Sequence, residues 1–348
     1  MANSLVIGRI FGIKVELHWT FILLLLLSLL LSTFFLIIII LLFVCVLIHE
    51  LAHSVTATRN KVRVKSIILL PIGGASVIDD TKIPAKVEFN IALAGPVMSF
   101  VLAAIFGLAA IFTPPGEITF LMQNLFVLNA FLGIFNILPA FPMDGGRVFR
   151  SYLQKRMSYF DATMLTAKVS KAIMALIVIA TVIFAIFASA YSADYREFLV
   201  FWSLIIVFFL YGGVQQEAQL VTLRRNTKGM RVLDAASKNY LSVDQNMPLP
   251  KLYLAMKRSK QHIVITKMGS RYLLVDVFKR AKGKAEIVKD IAVQIPEVSS
   301  ATGIMDAISK MQSSDSSMVA IVSGGKLVGI ATASMMEAFV TMHIASRK

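Results

Sequence analysis

From Leu17 to Ile48 the sequence holds no Asp, Glu, Lys or Arg, and this run ends in His49-Glu50-Leu51-Ala52-His53. A run that long and apolar is membrane material, and ionisable groups at membrane depth are costly to hold, so their arrival signals a function. On a helix, residues four apart share a face, so both imidazoles can reach one ion. The carboxylate between them is then left beside that ion rather than on it. Such a chain must fold as helices crossing a bilayer around an ionic site.

Composition agrees with this constraint. A hydrophobic share of 57% with 16% charged residues is a membrane composition. The first apolar run is too long, and too deeply marked by the motif, to be a removable signal peptide. The single cysteine, Cys45, excludes an intramolecular disulfide and a thiolate zinc cluster. From Arg224 to Lys348 there are 20 basic and 9 acidic residues, so this stretch carries +11 of the net +15. No aromatic-basic RNA signature or zinc finger accompanies the charge, so no nucleic-acid partner is expected. A domain held beside an anionic cytoplasmic leaflet explains it.

The chain divides in two: residues 1–223 are a membrane region and residues 224–348 a soluble one. Residues 1–16 alternate as a short strand near the membrane surface. The apolar stretch from Leu17 to Thr58 exceeds one span of ~20 residues, and Ser32-Thr33 is a plausible turn within it. Six spans are expected, near 17–31, 34–58, 87–112, 118–138, 163–190 and 197–222, with a small β-element over 61–78. Arg59, Lys61, Arg63 and Lys65 follow the second span, Arg147, Arg150, Lys155 and Arg156 the fourth, and Arg224 and Arg225 the sixth. The opposite connections hold one basic residue, Arg196, so both termini and the soluble domain are expected to be cytoplasmic. At 1.5 Å per residue, His49 then lies ~14 Å below the cytoplasmic end of its helix.

A catalytic zinc takes three protein ligands and leaves one position for water. His49 and His53 supply two, and Glu50 is placed to accept a proton from that water. Two candidates remain for the third. His18 begins the first span beside Trp19, where an interfacial role suits it. Asp144 stands within Asn136-Ile-Leu-Pro-Ala-Phe-Pro-Met-Asp-Gly-Gly146, where two prolines break a helix at membrane depth. Irregular backbone there is tolerated only against protein or a watery cavity, and Gly145 and Gly146 allow close approach. Asp144 is the better candidate.

At this point the sequence resembles the intramembrane site-2 protease metalloproteases. The ordered set consists of GRIFGIKVELHW, H-E-x-x-H in the second span, Leu70-Pro-Ile-Gly-Gly74, Ala94-Gly95-Pro96 and Asn136…Pro139…Asp144-Gly145. The resemblance implies one Zn2+ per chain held by His49, His53 and Asp144, with Glu50 as the catalytic base. It also implies that Asn136 supports substrate or the developing oxyanion, and that the strand containing Gly73 and Gly74 clamps an unwinding substrate helix. A strand edge is suited to this, because a transmembrane helix must be locally extended before its peptide bonds are exposed. The expected substrate is a transmembrane or membrane-anchored protein, cut within or near its membrane segment, in a prokaryotic cell membrane. A transporter or channel would show internal transmembrane repeats and more polar spans, and neither is present.

Residues 230–348 contain two weakly similar halves, each reading strand, helix, strand. They resemble a tandem CBS-domain pair, as carried by one branch of the site-2 proteases. The fold class expected is thus a polytopic α-helical membrane protein joined to a cytosolic α/β CBS pair. Such pairs often bind adenine nucleotides through an Asp after a Gly-x-x-Thr strand end. Here Gly329-Ile-Ala-Thr332 is present, but Met335 takes the Asp position and the first half reads Leu273-Leu-Val-Asp276. Adenine nucleotide is therefore disfavoured, and a homodimer through the pair, or gating of cytosolic access, is the reading kept.

Overall fold

The computed structural model describes residues 4–71, 73–78, 83–187, 193–276 and 286–346. The chain forms two compact units, Met1–Val221 and Thr222–Lys348.

The first unit opens on a hairpin, β1 (Ser4–Ile10) and β2 (Ile13–His18), turning at Phe11 and Gly12 with φ of 51° and 79°. The described part of the stretch expected to be a single strand is thus two. Helix α1 (Trp19–Leu31) follows, capped by His18, whose Nδ1 accepts from Thr20 N. Ser32, extended at φ −172° and ψ 141°, ends α1 and caps α2 (Thr33–Arg59). Next come β3 (Val64–Leu70) and β4 (Gly73–Ile78), giving a four-stranded sheet in the order β1-β2-β3-β4. β2 and β3 pair in parallel, Val15 opposite Ile67 and Leu17 opposite Leu69. Period-two alternation sends Ile13, Val15, Ile67 and Leu69 to one face, where they pack against Leu47 and Leu51 of α2. The sheet is thereby fixed along the helix turns that carry His49 and His53.

Helices α3 (Ala85–Phe112), α4 (Glu117–Ile137), α5 (Asp144–Leu153), α6 (Tyr159–Phe187) and α7 (Ala193–Asn226) complete the unit. Among the described residues, five helices are long and apolar enough to cross a membrane: α2, α3, α4, α6 and α7. The remaining expected span, near 17–31, is α1, an apolar helix shorter than the other five. Helix α1 has 13 residues and reaches only ~20 Å, short of a ~30 Å hydrocarbon core. The reason is tertiary: Leu17 and His18 are drawn into β2, and Ser32 stops the helix at the other end. The expected end of the fifth span, 188–190, lies outside the described residues. The long helices expose much of their apolar surface, including Leu108, Ile111, Phe131, Ile179 and Phe208. That is the pattern of a bundle solvated by lipid rather than water.

The second unit repeats one motif twice. A 3-10 turn at Val232–Ala235 leads to β5 (Leu241–Val243), α8 (Leu249–Ser259), β6 (Val264–Met268) and β7 (Arg271–Val275). A second 3-10 turn, Val288–Ile291, leads to β8 (Ala292–Gln294), β9 (Glu297–Ser299), α9 (Ile304–Ser313), β10 (Met318–Ser323), β11 (Lys326–Thr332) and α10 (Ala333–Ala345). In each half a helix joins two parallel strands, β5 to β6 and β9 to β10, and an antiparallel hairpin follows. The first half therefore carries a hairpin that its sequence did not suggest. The halves share a core of Ile265, Ile295, Met318, Ala320 and Ile330, and Tyr272 Oη accepts from Leu327 N at 3.1 Å. Each large aliphatic side chain buried this way contributes ~1.5–3 kcal/mol. Thr332 caps α10 by accepting from Met335 N at 3.3 Å, which gives the Gly329–Thr332 strand end a structural use.

Candidate metal centre

His49 and His53 lie one turn apart on α2 and are both buried. Asp144 is the first residue of α5. The structure brings the three together: His49 Nε2 to Asp144 Oδ2 is 3.2 Å, His53 Nε2 to Asp144 Oδ2 is 3.1 Å, and the two Nε2 atoms are 3.2 Å apart. Among the described residues this is the one His, Cys, Asp and Glu group with metal-ligand spacing.

The chemistry of these atoms suits an ion. His53 Nδ1 is 2.6 Å from the Ile91 carbonyl oxygen. A carbonyl only accepts, so the proton sits on Nδ1, and in the neutral ring Nε2 presents a lone pair to the centre. His49 Nδ1 meets Ser99 Oγ at 2.7 Å, which frees its own Nε2 in the same way when Nδ1 donates. Ile91 and Ser99 both belong to α3, and nothing in the local sequence around the histidines points to them. Gly95, between them, leaves the space. A Cβ there would stand 2.1 Å from His53 Nε2 and 2.5 Å from His49 Nε2. Three lone-pair donors converging under a missing side chain fit a three-coordinate site with an open position.

Several contacts deliver Asp144. Gly145 packs its Cα directly on the end of α4, where a Cβ would lie 2.2 Å from the Leu138 oxygen, and Gly146 does the same against Ala140. The preceding loop is buried: Ala140, Phe141 and Met143 join Ala167 and Met174 of α6 and Leu210 and Val214 of α7. Ser170 Oγ accepts from Phe141 N at 2.9 Å. One turn and a half further along α5, the buried Arg150 pairs with Glu88 of α3 and, at 2.9 Å, with Glu217 of α7. Its guanidinium also lies against the Phe141 and Tyr159 rings, at 5.1 and 4.9 Å.

The other expected residues are placed as follows. Glu50, half-buried, accepts from Ser76 Oγ of β4 at 2.7 Å. Gly73, at φ 139°, and Gly74 begin β4 rather than forming a turn, and a Cβ at Gly74 would be 2.4 Å from Glu50 Cγ. Leu70 closes β3, Pro71 turns, and Ile72 lies outside the described residues. Asn136 stands in the last turn of α4, where its Nδ2 donates to the Leu132 carbonyl at 3.0 Å. His18 caps α1 and takes no part in the cluster.

Apolar helices around a His, His and carboxylate triad define a membrane protein with a ligand set of the kind metallohydrolases use. Residues 37–117 and 113–183 match the profile of peptidase family M50. The chain is 32% identical, over 95% of its length and 94% of the relative's, to the zinc metalloprotease MJ0392 of Methanocaldococcus jannaschii. It belongs to peptidase family M50. The solved site-2 protease of M. jannaschii is similar at 34% identity, over 62% of this chain and 95% of that one, with a TM-score of 0.47. Over 34% of this chain and 76% of the other, there is a likeness to the CBS domain protein TA0289 of Thermoplasma acidophilum, at 20% identity and a TM-score of 0.28.

Proposed function

We propose that the chain is a zinc-dependent intramembrane protease in which His49 Nε2, His53 Nε2 and Asp144 Oδ2 are the protein ligands. The observation that carries this reading is the convergence of those three atoms beneath Gly95. Intramembrane proteolysis is the role of the family to which the chain belongs, and the relative named above is a zinc metalloprotease. His, His and carboxylate with an open position suit zinc among the common metals. When bound, zinc supplies Lewis acidity to the attacking water and the scissile carbonyl.

The remaining steps belong to side chains. Glu50 takes a proton from the attacking water and hands it to the departing amine nitrogen. Asn136 donates to the developing oxyanion once its amide leaves the Leu132 carbonyl. Among the described residues β4 pairs only with β3, so its outer edge can take an extended segment of the substrate, with Gly73 and Gly74 at its start. The substrate is a transmembrane or membrane-anchored protein. Both termini and the C-terminal unit face the cytoplasm, where the unit gates access or mediates dimerisation.

The test is cleavage of a transmembrane substrate in proteoliposomes by wild type and Glu50→Gln, with zinc measured on the same samples. The variant should keep about one zinc per chain and lose activity by at least ~100-fold, the scale of a general base. Cleavage at the wild-type rate by Glu50→Gln would overturn the reading.

A further inference from the structure

Glu50 is held by the sheet, whereas His49 and His53 meet groups of α3 and α5. Two residues of β4 touch it. Gly74 lies against its stem so closely that any Cβ would displace it, at 2.4 Å from Cγ and 3.0 Å from Cδ. Ser76, two residues on and therefore on the same strand face, donates its hydroxyl to Oε2 at 2.7 Å. Ser76 Oγ is in turn 3.3 Å from the hydroxyl of Ser54, a buried residue one turn beyond Glu50 on α2. Glu50, Ser76 and Ser54 thus form one hydrogen-bonded chain that returns to the helix on which it starts. A carboxylate oxygen accepts from such donors, and a glutamate free to rotate about three bonds would rarely point the right way.

We infer that Ser76 is a positioning residue that fixes the Glu50 carboxylate to β4. The inference rests on the protease reading above. Its consequence is mechanical. Among the described residues β4 is an edge strand, and a peptide that pairs with its outer rim is set in register with the strand that also aims the base. Ser54 holds Ser76 from the helix side, so Ser76 stays oriented when the rim is vacant. Gly74 is explained by the same arrangement: its missing side chain lets strand and base meet. The hydroxyl of Ser76 meets Glu50 and Ser54, so its effect passes through Glu50.

The experiment compares Ser76→Ala, Ser76→Thr and Glu50→Gln with wild type as full-length protein in proteoliposomes, reading kcat, KM and zinc content separately. Ser76→Ala should lower kcat by ~10–100-fold, the usual cost of removing a supporting hydrogen bond at such a site. Its KM should stay within about twofold and its zinc at the wild-type level, since transition-state rather than ground-state interactions are lost. Ser76→Thr, which keeps the hydroxyl, should recover most of the rate. Wild-type kcat in Ser76→Ala would overturn the inference. So would a rise in KM alone, loss of zinc, or an equal defect in Ser76→Thr, since each assigns the serine to substrate binding or plain packing. Glu50→Gln separates the two levels. If it cleaves normally the protease reading itself fails, whereas an inactive Glu50→Gln beside a normal Ser76→Ala sinks the Ser76 role alone.

Discussion

Gly95 shows how a residue with no side chain governs a site. Its Cα lies so close to both imidazoles that a methyl would meet His53 Nε2 at 2.1 Å. Gly95→Ala should therefore leave the fold standing while weakening zinc binding by at least ~10-fold, as damage to the surroundings of metal ligands does. Competition with a coloured chelator measures it, and wild-type affinity would contradict the close packing. His49, Glu50 and His53 are legible in the sequence because helical spacing alone puts the two histidines on one face. Asp144 is legible because prolines and paired glycines mark its loop as irregular backbone at depth. Ser99, the Ile91 carbonyl, Ser170 and Ser76 are not, because they meet their partners across 50, 38, 29 and 26 residues of chain. A serine in an apolar helix reads the same whether it orients a ligand or only bonds its own backbone.

Between elements, two features that local hydropathy does not fix have one kind of cause. Helix α1 is shortened because Leu17 pairs with Leu69 in the sheet, a partner some fifty positions away that local hydropathy does not register. Helix α5, which carries Asp144 at its first position, is short and amphipathic, so hydropathy alone does not reveal it. What holds α5 is Arg150, clamped between Glu88 and Glu217 and 4% exposed. Arg150→Met would leave two partly buried acidic groups without their shared cation, at a cost of up to about 3–5 kcal/mol. A lowered thermal midpoint in detergent, with loss of bound zinc as Asp144 shifts, is the expected result. A melting curve superimposable on wild type would show that α5 is fixed by other contacts. In the sequence Arg150 reads as one of several basic residues after the fourth span, and only the packing of four helices shows it to be a structural cation beside the site.

For the whole molecule, the excess of basic residues is the ground for proposing that the C-terminal unit faces the cytoplasm. With Cys45, the only cysteine and a buried one, replaced by Ser, a Ser346→Cys variant should react with a membrane-impermeant thiol reagent from the cytoplasmic side alone. Labelling from the opposite face would reverse the topology. Two compact units, the membrane-spanning character of the first and the repeated motif of the second follow from composition, apolar run length and internal similarity. These are properties of short windows, each read within a few turns or strands. By itself the sequence determined that this chain crosses a membrane, carries two histidines on one helical face and ends in a duplicated α/β unit. The tertiary structure decided how far α1 reaches, which backbone and hydroxyl groups orient each imidazole, and where Asp144 comes to rest. Those outcomes depend on contacts between distant segments, where a missing Cβ or one buried ion pair sets distances that no local pattern encodes.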